Sequence, residues 1–313
     1  MSKNSDAAKK RTFDLDCLGL GIMPLDLLFE VEAHPSCGSK IDALSLTMQG
    51  GGPVPNVLVG LARLGFRTAL ITAVADDPIG RQGLSEMTDE GVDVSHVVVK
   101  GGVSDTAAGL IVKGSGERTL VLNRILHVLP RDIDTSTLPR PRLVHLDGRD
   151  VKACMKLARW GRKAGATVCF DIGSMRNDVS PVFPLVDHLV VADAFALPFT
   201  GTRKAESAVK KLAEYGPKVV VVTEGVRGSV GLEEGVMVRR PAIKVPVADT
   251  TGAGDAFHTG YMYGLLEGCD LATRMDYGAA TAAMKCTKMG ARTGLPGKAR
   301  LRAFMKRKLT YYA

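Results

Sequence analysis

From residue 143 to residue 223 the chain alternates β-prone and helix-prone segments with a regularity that leaves few architectures open. Strands are expected at 143–146, 167–171, 188–191 and 218–223, and helices at 151–164, 180–185 and 203–215, the first of them closed by Gly165. A relay of this kind folds into a mostly parallel sheet covered by helices on both faces, with ligands bound beyond the carboxyl ends of the strands. Asp147, Asp171, Asp193 and Thr223 all fall at such ends.

The same sheet starts earlier, at a buried strand over 17–22. Gly19 and Gly21 suggest a dinucleotide fingerprint, but Pro24 stands where a third glycine is needed and no helix start follows. What the strand delivers is Asp26, a carboxylate that either accepts hydrogen bonds from sugar hydroxyls or caps a turn. A strand over 67–75 and a helix over 80–90 continue the pattern. Segments 27–50 and 97–122 break it with short β-prone pieces at 27–31, 41–46, 97–99, 107–112 and 119–122. These are too many strands for a plain relay, and they are expected to form a small separate sheet acting as a lid that excludes water. Residues 1–313 read as one domain with this lid, with 1–12 polar and expected to be unstructured.

Two glycine-bearing stretches carry the candidate chemistry. Gly50, Gly51 and Gly52 precede Asn56 and a helix ending at Gly65; Asn56 either offers its amide to a ligand or caps the helix. Asp249-Thr250-Thr251-Gly252-Ala253-Gly254-Asp255 runs into an apolar helix reaching Leu266. Backbone amides at such a helix start suit a phosphate, although a glycine-rich strand-to-helix turn also occurs without one. Asp255 would repel a resting phosphate, so it needs another role, such as taking the proton of an attacking hydroxyl.

Composition narrows the alternatives. The 41 Lys and Arg outnumber the 33 Asp and Glu, giving a net charge of +8, but the basic residues are scattered. The dense group at 298–308 reads as an amphipathic helix with a solvated basic face, so neither nucleic acid nor membrane is expected as a partner. Residues 1–12 lack the apolar core of a signal peptide, and the six cysteines show no C-x-x-C spacing, which suits a reducing cytoplasm. G-x-x-x-x-G-K-[ST], H-E-x-x-H and G-x-S-x-G motifs are absent, and the six histidines are too dispersed to suggest a metal cluster. His258, the one histidine near the glycine loop, reads as a helix-packing residue.

Three motifs in order, Gly51-Gly52-x-x-x-Asn56 with Ala62-Arg63-Leu64-Gly65, Thr223-x-Gly225-x-x-Gly228, and Asp249 to Asp255, closely resemble the signatures of the ribokinase-like (PfkB) carbohydrate kinase family. Asp26, the turn at 76–80 and Gly290-Ala291 fit the same pattern, so the resemblance covers about 17–296. It implies an α/β three-layer sandwich with a β lid, and transfer of the ATP γ-phosphate to a sugar hydroxyl. Asp255 would be the base, and Gly252, Ala253 and Gly254 the anion hole. Asp26, Gly51, Gly52 and Asn56, with Asp255, would hold the sugar, while Thr223, Gly225 and Gly228, with Gly252 and Gly254, would lie along the nucleotide. Mg²⁺ would travel with ATP through phosphate oxygens and waters. A monovalent cation, K⁺, would sit at Asp249 and Thr251, and lid sheets would pair two subunits into a homodimer.

Two departures affect these expectations. The family's Asn-x-x-Glu is replaced by Ala192-Asp193-Ala194-Phe195, which removes a common Mg²⁺ contact and leaves open a sugar or nucleotide sensor without turnover. Pro53 occupies a place where several members carry lysine, which points away from ribose. A ketose or related sugar is the expected substrate. A sugar acid or sugar phosphate, charged against Arg176, Arg124 or Lys113, is the alternative, and an aromatic content of 5% argues against a nucleoside.

Overall fold

The computed structural model describes residues 12–115, 117–175 and 178–312, with backbone alone for 308–312. The expected unstructured start lies outside these residues apart from Thr12, and Arg176 lies outside them too. Strand β1 (Leu15–Leu20) leads to β2 (Leu25–Val31), β3 (Ser45–Gly50) and helix α1 (Pro53–Arg63). Then come β4 (Thr68–Ile71), β5 (Ala73–Ala75), α2 (Pro78–Asp89), β6 (Val92–Asp93), β7 (Val98–Lys100), β8 (Thr106–Val112) and β9 (Arg118–Asn123). The relay follows as β10 (Pro141–Leu146), α3 (Val151–Ala164), β11 (Thr167–Ile172), β12 (His188–Ala192), α4 (Asp193–Thr200), α5 (Ala205–Ala213) and β13 (Val219–Thr223). The hairpin β14 (Ser229–Glu233) and β15 (Val236–Arg240) precedes α6 (Ala253–Leu266), α7 (Leu271–Cys286) and α8 (Lys298–Tyr312).

The main sheet has nine strands in the order β15-β14-β13-β12-β11-β10-β1-β4-β6. It is parallel from β13 to β6, and β14 alone is reversed, pairing antiparallel with both β13 and β15. Because successive strand residues face opposite sides, one strand feeds two cores. Val220 and Val222 of β13 pack with Leu157, Phe195 and Val209 of α3, α4 and α5, whereas Val219 and Val221 pack with Leu58, Tyr261 and Met275 of α1, α6 and α7. This is the expected three-layer α/β sandwich. No helix among the described residues is long and apolar enough to cross a membrane.

A separate four-stranded sheet, ordered β3-β2-β8-β9, stands apart from the main one. Two expectations about it need correction. Residues 98–100 do not belong to it: β7 pairs in parallel with β5 in a two-stranded sheet beside the main core. Its second strand is 45–50 rather than 41–46, because the register places Gly50 opposite Leu25 and Ser45 opposite Glu30. The helix expected at 203–215 is also shorter, spanning 205–213. It is preceded by α4, whose Pro198 and closing Gly201, in a left-handed conformation, disguise a helix as a turn.

Helix α6 is buried on every side, including all residues from Ala256 to Gly264, so its position is set by tertiary packing. Glycines make the close approaches possible. A Cβ at Gly260 would fall 2.1 Å from the Tyr277 carbonyl oxygen of α7, far inside van der Waals contact. Gly260→Ala gains about 1 kcal/mol of helix propensity. It also forces two backbones apart, a larger effect, and a net loss of about 1–3 kcal/mol is expected from urea unfolding.

Candidate active site

The carboxyl ends of β10 to β13 open into a cavity of about 800 Å³, roofed by β8 and β9 of the small sheet and closed on one side by the start of α6. Asp26, Gly52, Asn56 and Asp255 line one part of it; Asp193, Thr223 and Gly225 line another. Thr251, Gly252 and Gly254 lie along the same wall. Residues drawn from three distant motifs therefore share a single space. Gly51 stands just behind, its missing Cβ leaving room for the Asp26 carboxylate, which a side chain there would meet at 2.3 Å. Gly228 is not on the wall: its carbonyl accepts the Glu224 amide at 2.7 Å and its own amide donates to Gly225, closing the turn that presents Thr223 and Gly225.

The loop before α6 turns through Gly252, whose φ of 72° is left-handed and whose α-carbon faces Ala291 so closely that a Cβ would lie 2.7 Å from that side chain. A Cβ at Gly254 would meet nothing within 4 Å, consistent with a residue facing the cavity. The Ala253 amide donates to the Thr250 carbonyl at 3.1 Å, and the Ala256 amide to Gly252 at 2.9 Å. Gly254 and Asp255 thus hold the helix-start amides that an α-helix leaves without an internal acceptor.

Asp255 is fixed by a relay that the sequence did not reveal. Asn56 Nδ2 donates to Asp255 Oδ2 at 2.6 Å, and Asn56 Oδ1 accepts from Arg292 Nε at 2.8 Å. Arg292 Nη2 donates to the Gly51 carbonyl at 3.2 Å, and Glu86, which takes the Gly50 amide at 2.6 Å, lies 3.5 Å from Arg292 Nη1. One buried guanidinium therefore holds the glycine loop, Asn56 and, through it, the carboxylate. The only signal in the sequence was its place after Gly290-Ala291.

Burial raises the pKa of Asp255, the neighbouring Asp171 carboxylate adds to the rise, and the Asn56 amide opposes it. Burial pushes Asp26 up to about 7 against the pull of Arg292. It pushes Asp147 up to about 6 although that carboxylate accepts the Arg149 and Ile22 amides. In Asp171 burial is outweighed by the charge and hydrogen bond of His258, so its pKa is lowered. His145, Asp171 and His258, dispersed in sequence, offer ligand atoms within 4.8 Å of one another, and His258 Nε2 lies 3.2 Å from Asp171 Oδ1. His258 thus has a polar partner and lines the cavity besides packing in α6.

Among the described residues the arginines and lysines on the cavity are Arg118 of β9 and Arg149, not Arg124 or Lys113. Arg118 also donates to the Thr250 carbonyl, tying the small sheet to the loop before α6. Arg124 is engaged with Asp150, and Lys113 pairs at the surface with Glu32 at 2.9 Å. Asp193 opens α4 and is held by Arg227 at 2.6 Å.

Fold and cavity together define a ribokinase-like phosphotransferase. The Thermotoga maritima ribokinase superposes with a TM-score of 0.78 over 93% of this chain and 99% of its own, at 22% identity. The model of the pfkB family carbohydrate kinases matches residues 14–298, and the chain belongs to that family. It is an enzyme that transfers a phosphoryl group to a sugar hydroxyl. It is 25% identical to the 5-dehydro-2-deoxygluconokinase of Geobacillus kaustophilus, over 93% of this chain and 94% of that one. It is 28% identical to the ATP-dependent ribose-1-phosphate kinase of Halopiger xanaduensis, over 88% and 93%.

The Asp26 shift has a definite sign. A carboxylic acid whose folded pKa lies above its ordinary 3.8 contributes stability that is complete below 3.8 and is lost as pH rises through about 7. Asp26→Asn mimics the protonated acid. The stability of the wild type relative to this variant, read by urea unfolding, is expected to fall between pH 3.8 and about 7 and to level off above.

Proposed function

We propose that the chain transfers the γ-phosphoryl group of MgATP to a hydroxyl of a small sugar or sugar acid, with Asp255 as the base. The observation that carries this is a half-buried carboxylate at a helix start, held by Asn56 and facing one cavity shared by both candidate substrate sites. In this reading Asp26, Asn56 and the loop at Gly51 and Gly52 hold the sugar. The acceptor hydroxyl gives its proton to Asp255 while its oxygen bonds to the γ-phosphorus, and the bond to the β-phosphate oxygen breaks to release ADP. The amides around Gly252, Ala253 and Gly254 receive the charge of the moving group. The pKa of Asp255 is raised by burial, and that of Asp26 is pushed up to about 7, as suits groups that exchange protons.

Thr223, Gly225 and the turn closed by Gly228 support the nucleotide. Val226, in that turn, is 93% exposed, and an adenine base would cover it. Mg²⁺ neutralises the polyphosphate when bound. Asp171 and Asp193 both line the cavity and would be the carboxylates nearest that role, the first bonded to His258 and the second paired with Arg227. Apolar side chains exposed on β3, Leu46 and Met48, support a homodimer through the small sheet acting as a lid. Free cysteines, three of them buried, suit a reducing cytoplasm.

Arg118 and Arg149 favour an acceptor that carries a negative group, in line with the name of the Geobacillus relative. ADP release measured across ketoses, sugar acids, sugar phosphates and nucleosides tests this; nucleotide binding with no turnover on any of them would leave a sensor instead. Arg118→Ala should raise KM about tenfold more for a sugar acid than for a neutral ketose, while the loss common to both, from the Thr250 contact, should fall on kcat. Asp255→Asn should keep the fold and sugar binding, by melting and calorimetry, and lower turnover roughly 10²–10⁴-fold. A fully active variant would remove the mechanism.

A further inference from the structure

Lys285 lies in the last turn of α7 with no exposed surface, and its ammonium is aimed at the loop that leads into α6. Nζ donates to the Asp249 carbonyl at 2.7 Å and stands 3.7 Å from Asp249 Oδ2. Asp249 is buried as completely. Its Oδ1 accepts the Thr251 amide at 2.7 Å and its Oδ2 the Gly290 amide at 2.8 Å. Beside them the Cys286 carbonyl accepts the Ala248 amide at 2.8 Å and the Asp249 amide at 3.3 Å. A buried ammonium is unfavourable unless acceptors surround it, and here it is matched with a carbonyl and a carboxylate.

Asp249 and Thr251 are the residues at which the family resemblance implied a monovalent cation. Such an ion sheds its water only where several oxygens take the water's place. The oxygens of Asp249 and Cys286 already have partners: the ammonium on the Asp249 carbonyl, amides on its carboxylate, and amides on the Cys286 carbonyl. Thr251 Oγ1 is buried without a hydrogen-bond partner, and a single hydroxyl does not make a coordination shell. A second positive charge a few Å from Nζ would also be repelled. The residues present do not fit a bound monovalent cation.

We propose that the Lys285 ammonium stands in for that ion as a built-in cation, so that the enzyme works without K⁺. It acts through the loop and not on substrate. By holding the Asp249 carbonyl it fixes the start of the turn whose next carbonyl, that of Thr250, receives the Ala253 amide and Arg118. The turn then reaches Gly252 and the helix-start amides. Lys285 is therefore a positioning residue for the phosphoryl-binding loop.

The inference rests on the kinase reading of that loop, and the test separates the two. MgATP binding to the full chain is measured by calorimetry at constant ionic strength in potassium, sodium and choline chloride, with melting midpoints in each salt. The wild type should bind MgATP within about twofold in all three and gain no thermal stability from K⁺. Lys285→Ala should weaken binding in choline about tenfold and regain part of it with K⁺, ammonium or methylammonium, with a melting midpoint that K⁺ now raises. With the acceptor found by the substrate panel, its turnover in choline should fall about a hundredfold, mainly in kcat.

Wild-type binding or turnover that falls tenfold without K⁺ overturns the proposal. So does a folded Lys285→Ala or Lys285→Met variant that matches the wild type in choline, or whose loss no small cation relieves. Should both variants fail to fold, the wild-type salt comparison decides alone. A chain that binds MgATP but phosphorylates no acceptor refutes the kinase reading, while the cation comparison is still read from affinity and melting.

Discussion

The hydrogen bond from Asn56 to Asp255, backed by Arg292, is the interaction on which the site depends. It joins residues 199 positions apart, across the packing of α1 against α6. A desolvated carboxylate has little freedom to choose its partners, and an amide whose other end is held by a guanidinium gives it one direction. The same guanidinium ties down the Gly51 carbonyl, so the loop on the sugar side and the proposed base move as one body. Close approach makes this possible: a side chain at Gly60 would lie 2.5 Å from Thr259 of α6, which keeps α1 and the start of α6 within reach of each other.

Much of this architecture was legible in the sequence because it follows from local rules. The continuous apolar run at 219–222, buried on both faces, and glycine-closed helices fix the relay, and α3 falls on the expected residues, Val151–Ala164. Ordered glycine motifs placed both ends of the cavity on one chain. What stayed hidden depends on partners distant in sequence. Arg292, Arg118 and Lys285 look like any basic residue of a chain with a net charge of +8 until the fold brings an amide or carbonyl to them. His145 and His258 come together only because β10 and β11 lie side by side beneath α6. Strand 98–100 was assigned to the wrong sheet because β propensity says that a segment is extended, not what it pairs with.

The positive charge acquires a different meaning once placed. A basic chain suggests a polyanionic partner, yet several of these cations are turned inward. Arg292 and Lys285 are buried, and Arg274 is buried against Glu233. Arg118 and Arg149 face the cavity. Part of the charge that reads as a surface property in composition is an internal scaffold for carbonyls and carboxylates.

The two aspartates that bracket the loop show how environment divides one residue type into two roles. Asp249 accepts two backbone amides and faces an ammonium, so its charge is fully engaged and it has nothing to offer a substrate. Asp255 is only half-buried; it has one amide partner, a second carboxylate nearby that adds to the rise in its pKa, and an open cavity in front of it. A group saturated with donors shapes the backbone; a group left underbonded is free to accept a proton. The left-handed turn at Gly252 lies between them, so the order fixed at Asp249 by Lys285 passes through a single backbone conformation to the amides at the start of α6. Loss of the anchoring cation would leave Asp255 in place on its helix and on Asn56, while loosening the amides beside it.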